Sequence, residues 1–124
     1  MTSRIRVLIA DDHRLFVQAL EAILASDERL EVVGRARDGE EAVEQALRLE
    51  PDVILMDIAM PVVDGVEATK RIRKNLRTAC VVMLTGSDSR TDVALAREAG
   101  AAAYVTKDRI ASHLIDTLLE VAST

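Results

Sequence analysis

Apolar residues fall along this chain in five short runs, and between the runs the apolar positions recur every three or four residues. The runs cover 4–10, 30–36, 52–57, 80–85 and 102–106. They are rich in Val, Ile and Leu, and several are continuously apolar, as strands covered on both faces require. The segments between and after them, 14–26, 39–49, 65–75, 90–99 and 110–122, carry the helical period. Leu15, Ala19, Leu20, Ile23 and Leu24 show it in the first, and Ile110, Leu114, Ile115, Leu118 and Val121 in the last. The punctuation agrees. Asp38 predicts an N-cap, with Glu41 three residues later as in a capping box. Asp64-Gly65 marks the turn into the third helix, and Gly100 is placed to end the fourth. Five alternating β and α segments predict an α/β fold, a doubly wound five-stranded parallel sheet with right-handed crossovers and helices on both faces.

In such a sheet the carboxyl ends of the strands share one edge, where ligands bind. Asp11 and Asp12 follow the first run, Asp57 closes the third, Thr85 closes the fourth and Lys107 follows the fifth. The spacing therefore gathers three carboxylates, a hydroxyl and an ammonium, a set suited to a divalent cation and a phosphoryl group. A nucleotide or flavin fold usually places Gly, Ser or Thr after its first strand, so that backbone N–H groups hold a phosphate. This chain has Asp11-Asp12-His13 there, and bare carboxylates repel phosphate and attract Mg²⁺, which takes hard oxygen ligands. Neither GxGxxG nor GxxxxGK occurs, which removes the Rossmann and P-loop readings. Asp57 is the candidate nucleophile, able to attack a phosphoryl donor and form an aspartyl phosphate. The cation would neutralise charge on the transferring group. Lys107 offers its oxygens a second positive charge, and Thr85 a hydrogen bond.

Composition narrows the alternatives. A length of 124 residues suggests one domain, and 49% hydrophobic residues supply a core built from aliphatics, since Phe16 and Tyr104 are the only aromatics. The net charge is −5, from 16 basic and 21 acidic residues, which argues against nucleic-acid binding by this segment itself. Arg71, Arg73, Lys74 and Arg77 form the one basic stretch and read as a solvated helix face. Cys80 is the single cysteine, so there is no disulfide framework and no Cys-based zinc site. It reads as a small buried hydrophobe. His13 reads as a helix-start residue and His113 as solvent-facing. Ser87, Asp88 and Ser89 lack a suitably placed His for a triad. No apolar run approaches the roughly 20 residues of a membrane span, and Met-Thr-Ser-Arg-Ile-Arg enters a strand directly, unlike a signal peptide. The expectation is a soluble cytoplasmic protein with no membrane association.

Ile9-Ala10-Asp11-Asp12-His13, Leu55-Met56-Asp57-Ile58-Ala59-Met60-Pro61, Asp64-Gly65, Leu84-Thr85 and Tyr104-Val105-Thr106-Lys107 together resemble a response-regulator receiver domain, over the whole of 1–124. The resemblance implies the flavodoxin-like (βα)5 fold with strand order 2-1-3-4-5. It implies that Asp57 accepts a phosphoryl group from a sensor histidine kinase. It implies Mg²⁺ (or Mn²⁺) held by Asp12, Asp57 and the backbone carbonyl of Ala59, with Asp11 often acting through water. Lys107 would contact the phosphoryl group, while Thr85 turns toward it and Tyr104 follows from outward to inward, a local charge event biasing a two-state element. Such a domain phosphorylates and dephosphorylates itself without turning over an external substrate, so it is not an enzyme in the usual sense.

Asp11-Asp12-His13 with Leu15-Phe16, Glu31-Val32-Val33-Gly34, Asp38-Gly39-Glu40-Glu41-Ala42 and Glu67-Ala68-Thr69 resemble the NarL/FixJ (LuxR-type) group. That group usually carries a C-terminal helix-turn-helix that binds DNA, which this chain does not include, and phosphorylation there favours homodimerisation. Val17 and Ala19 depart from that pattern, which usually has Arg and Gly, and Gly86 and Asp108 stand where other residues are common. Small residues at Ala59 and Ser87 imply moderate autodephosphorylation. Two other classes stay in view. A Mg²⁺-dependent phosphatase with an Asp nucleophile usually carries a second Asp where this chain has Ala59. A phosphate-independent interaction module has no use for the full acidic, hydroxyl and ammonium set. The kinase, its signal and the regulated genes are not encoded here.

Overall fold

The computed structural model describes residues 4–86 and 90–123. Five strands and five helices alternate: β1 Ile5–Ala10, α1 Arg14–Ala25, β2 Leu30–Ala36, α2 Gly39–Leu49, β3 Val53–Asp57, α3 Gly65–Asn75, β4 Cys80–Thr85, α4 Arg90–Ala99, β5 Ala103–Thr106 and α5 Ile110–Ala122. A 3₁₀ turn, Lys107–Arg109, joins β5 to α5. All strands are parallel, in the order 2-1-3-4-5. The expected fold class, strand order and elements are all present, with boundaries within a residue of the sequence reading.

The sheet is covered on both faces because successive residues of a strand point to opposite sides. Val7, Ile9, Val53, Leu55, Val82 and Leu84 face one layer, where Leu20 and Leu24 of α1 and Leu114 and Leu118 of α5 complete the core. Leu8, Ala10, Ile54, Met56, Val81 and Met83 face the other, with Ala42 and Ala46 of α2, Ala68 and Ile72 of α3 and Ala96 of α4. Small alanines on the second side let α2 and α3 lie close to the sheet. Leu15 departs from the expected apolar face: it is 80% exposed, because the buried stripe of α1 runs through Leu20 and Leu24 and Leu15 lies on another side. Cys80 is half-buried, at the margin of the core rather than inside it.

The register sets the functional edge. Ala10 pairs with Met56, Asp57 with Leu84 and Thr85 with Thr106. Residues 11, 57, 85 and 107 therefore emerge at nearly the same level. Local chemistry holds the following loops. Asp38 caps α2 by accepting from Glu41 N at 2.8 Å, while the Glu41 carboxylate accepts from Gln45 rather than completing a capping box. Asp64 caps α3 by accepting from Glu67 N at 2.8 Å. Gly100, at φ 101°, ends α4 in the left-handed region.

Candidate functional site

Asp57 is the last residue of β3, and its side chain is only 4% exposed. The chain after it turns back at once: Ile58 N donates to Leu84 O at 3.0 Å and Gly65 N to Ile58 O at 3.0 Å. That turn lays the start of α3 on the Asp57 carbonyl. A Cβ on Gly65 would stand 2.1 Å from Asp57 O, so only glycine fits there. Asp57 Oδ1 accepts from Ala59 N at 3.4 Å. Its Oδ2 is buried and, among the described residues, accepts no hydrogen bond. The Lys107 ammonium is 3.6 Å from that oxygen and 3.0 Å from Asp11 Oδ2. Burial pushes the Asp57 carboxyl above the usual aspartate range and the Asp11 charge pushes it further; Lys107, the Ala59 N–H and His13 pull the other way.

Asp11 is buried and Asp12 exposed, as successive residues leaving a strand end require. Lys107 enters from the 3₁₀ turn after β5, its ammonium 4.4 Å from the centroid of the Phe16 ring, a cation–π contact that holds the ammonium over the first turn of α1. Thr85 lies at the same edge, fully buried, and its hydroxyl has no hydrogen-bond partner among the described residues. The edge thus brings together Asp11, Asp12, Asp57, Thr85 and Lys107, with Ala59 in the adjoining loop. Tyr104 does not join them. It is 42% exposed and lines a separate groove with Val93, Ala96 and Arg97. Ser87, Asp88 and Ser89 lie outside the described residues.

Two residues that the sequence does not place at the site adjoin it. His13 begins α1 as expected, with no side-chain cap, and its ring turns into the acidic group. Its Nδ1 is 2.9 Å from Asp11, 3.4 Å from Asp12, 3.7 Å from Asp57 and 3.3 Å from Lys107 Nζ. Phe16 is the other. Helical spacing puts His13 and Phe16 on one face but does not say that this face meets the acids. Asp11, Asp12, His13 and Asp57 offer ligand atoms all within 4.8 Å of one another, three carboxylates and one imidazole with room for one cation. His113 is exposed, and Arg71, Lys74 and Arg77 lie on an exposed surface. Among the described residues no helix is long and apolar enough to cross a membrane.

Residues 7–119 match the family described as the response regulator receiver domain. The chain is 41% identical over 119 residues to the transcriptional regulatory protein LnrK of Bacillus subtilis, covering 96% of this chain and 54% of that protein. It is 41% identical over 108 residues to a protein-glutamate methylesterase/protein-glutamine glutaminase of Halalkalibacterium halodurans, covering 86% of this chain and 31% of that one. The signal receiver domain of the putative response regulator NarL from Mycobacterium tuberculosis superposes with a TM-score of 0.93 at 30% identity, covering 98% of both chains. The chain spans about half the length of the transcriptional regulators it matches.

Proposed function

The chain belongs to the response-regulator receiver family, and from that premise we propose that Asp57 accepts a phosphoryl group from the phosphohistidine of a sensor histidine kinase. The observation that carries this reading is the buried, unbonded Asp57 Oδ2 facing the Lys107 ammonium at 3.6 Å, beside Asp11 and Asp12. An Asp57 carboxylate oxygen forms the new bond to phosphorus as the phosphorus–nitrogen bond to the kinase histidine breaks. The imidazole leaves with its electron pair and takes a proton from solvent. Lys107 is placed to balance charge on the phosphoryl oxygens. Asp12, Asp57 and the Ala59 carbonyl, with Asp11 through water, would hold Mg²⁺ or Mn²⁺, and the all-oxygen donors fit such hard ions. When bound, the cation supplies charge neutralisation to the transferring group.

Thr85 and Tyr104 are the proposed switch. The buried Thr85 hydroxyl is free to bond a phosphoryl oxygen, and the half-exposed Tyr104 has an inward position to gain. The output is proposed to be transcription, through a helix-turn-helix domain beyond this segment, with dimerisation through α4, β5 and α5 or through α1 and α5. The named function of LnrK supports it. Without external turnover the domain is a phosphoacceptor in the cytoplasm, where its kinase donor would act. The methylesterase relative favours a second reading, in which the receiver controls an enzyme, and the reading frame downstream of residue 124 separates the two.

Acetyl phosphate with Mg²⁺ tests the phosphoacceptor role. Intact mass should rise by one phosphoryl group, and Asp57→Asn should abolish the rise. Undiminished labelling of that variant overturns the assignment.

A further inference from the structure

Resting on the receiver reading above, we propose that His13 Nδ1 is a nitrogen ligand of the same cation site, giving it affinity for borderline ions of the Zn²⁺ class in addition to Mg²⁺. Ligand bonds of about 2.1 Å set at octahedral or tetrahedral angles separate neighbouring donor atoms by roughly 3.0–3.4 Å. His13 Nδ1 is hydrogen-bonded to Asp11 Oδ1 at 2.9 Å and lies 3.4 Å from Asp12, both near those polyhedron edges, while Asp57 Oδ2 at 3.7 Å would have to close by a few tenths of an ångström and the Lys107 ammonium, 3.3 Å from the same nitrogen, would have to give way. The two oxygens of Asp11 divide the work: Oδ1 faces His13 and Oδ2 faces Lys107. The second support is the Asp57 carboxylate, buried to 4% exposure, aimed at the imidazole and the ammonium, with an Oδ2 that accepts no hydrogen bond. Among the described residues that oxygen meets the Lys107 ammonium only at 3.6 Å and His13 Nδ1 only at 3.7 Å, and a bound cation would supply the partner it lacks.

Donor chemistry then selects the ion. Carboxylate, carbonyl and water suit Mg²⁺ and Mn²⁺, whereas imidazole suits Zn²⁺, Ni²⁺ and Cu²⁺. Mg²⁺ keeps its waters and uses the oxygen donors, leaving His13 aside. Zn²⁺ favours four ligands, and His13, Asp11, Asp12 and Asp57 supply four. A site closed in that way has no position for a phosphoryl oxygen. Zn²⁺ would therefore hold the domain in a form that cannot be phosphorylated.

The test uses the chain in a His113→Ala background, so that His13 is the single remaining histidine. ZnCl₂ and MgCl₂ are titrated separately by calorimetry, and the imidazole nitrogens are followed by ¹⁵N NMR. Adding His13→Ala should weaken Zn²⁺ binding tenfold or more and change Mg²⁺ binding less than about twofold. The Nδ1 resonance should move with Zn²⁺ and stay with Mg²⁺. The ring is 63% exposed, so the substitution leaves the core intact. Unchanged Zn²⁺ affinity, equal losses for both ions, or a static Nδ1 resonance would each overturn the proposal. Absence of Mg²⁺ binding before His13 is replaced would instead overturn the Mg²⁺-dependent phosphoacceptor role on which the proposal rests, and the proposal with it.

Discussion

Asp57 holds a carboxylate in a place that favours the protonated form, and that bears on stability. Its folded pKa is raised, first by burial and then by the Asp11 charge. In the unfolded chain it titrates near 3.9. Below that value both states hold the proton and no penalty exists. As pH rises from there to the folded pKa, the unfolded chain releases its proton first and stability falls, after which the cost is constant. In metal-free buffer at pH 7, Asp57→Asn should therefore raise the melting temperature by a few degrees, and the gain should vanish toward pH 3. A gain that persists there would mean the amide stabilises by packing rather than by removing charge. Val62 is a second costly residue. Val63 N donates to Pro61 O at 2.8 Å and Val62 sits at φ 68°, which makes a tight γ-turn with a β-branched residue at its apex. The side chain is 74% exposed and buries little in return. Relief of strain of about 1–3 kcal/mol outweighs the entropy a glycine adds to the unfolded chain, about 0.5–1 kcal/mol. Val62→Gly should stabilise the protein by about 1 kcal/mol in urea unfolding.

Elements were legible from the chain because their signals are local. Apolar runs, the caps Asp38 and Asp64 and the terminator Gly100 each act within a few residues, and the α2 and α3 caps form as the residue types demand. The acidic edge was legible for a related reason: once the strands are parallel, strand ends must meet. What could not be read is how side chains turn after the backbone is placed. His13 folds into the acids, Leu15 stays in solvent, and Phe16 carries the Lys107 ammonium, and none of these follows from period alone. Glycines show the same divide. Gly65 looked like a turn residue, yet its main constraint is tertiary, the Asp57 carbonyl 2.1 Å from any Cβ. Gly86 follows Thr85 with nothing among the described residues within 4 Å of a Cβ and no positive φ. Gly65→Ala should cost about 3 kcal/mol, the upper range for overpacking. Gly86→Ala should instead gain about 0.5 kcal/mol by stiffening the unfolded chain. A small cost at Gly65 in chemical unfolding would show that α3 shifts off the Asp57 carbonyl without penalty.

At the scale of the molecule, the acidic edge is the place where the fold works against itself. Asp11 and Asp12 leave β1, Asp57 leaves β3, and a single ammonium from beyond β5 offsets them. Residues 7–10 of β1 and all of β3 are buried and paired behind them, so Asp11 and Asp57 cannot separate without unpairing the sheet. Unfolding disperses the set, which makes it a cation site only in the native state. A ligand that binds the native state alone stabilises by RT ln(1 + [L]/Kd), about 2.7 kcal/mol at a hundredfold excess over Kd, or roughly 10 °C in melting temperature for a domain of this size. Saturating Mg²⁺ should raise the melting temperature by that order. Asp57→Asn should lose more than half of the increment, although the same variant is more stable than its parent without metal. That crossing of the two effects is the signature of a carboxylate kept at a cost for what it binds. Equal Mg²⁺ increments in parent and variant would place the stabilising ion elsewhere on this acidic surface.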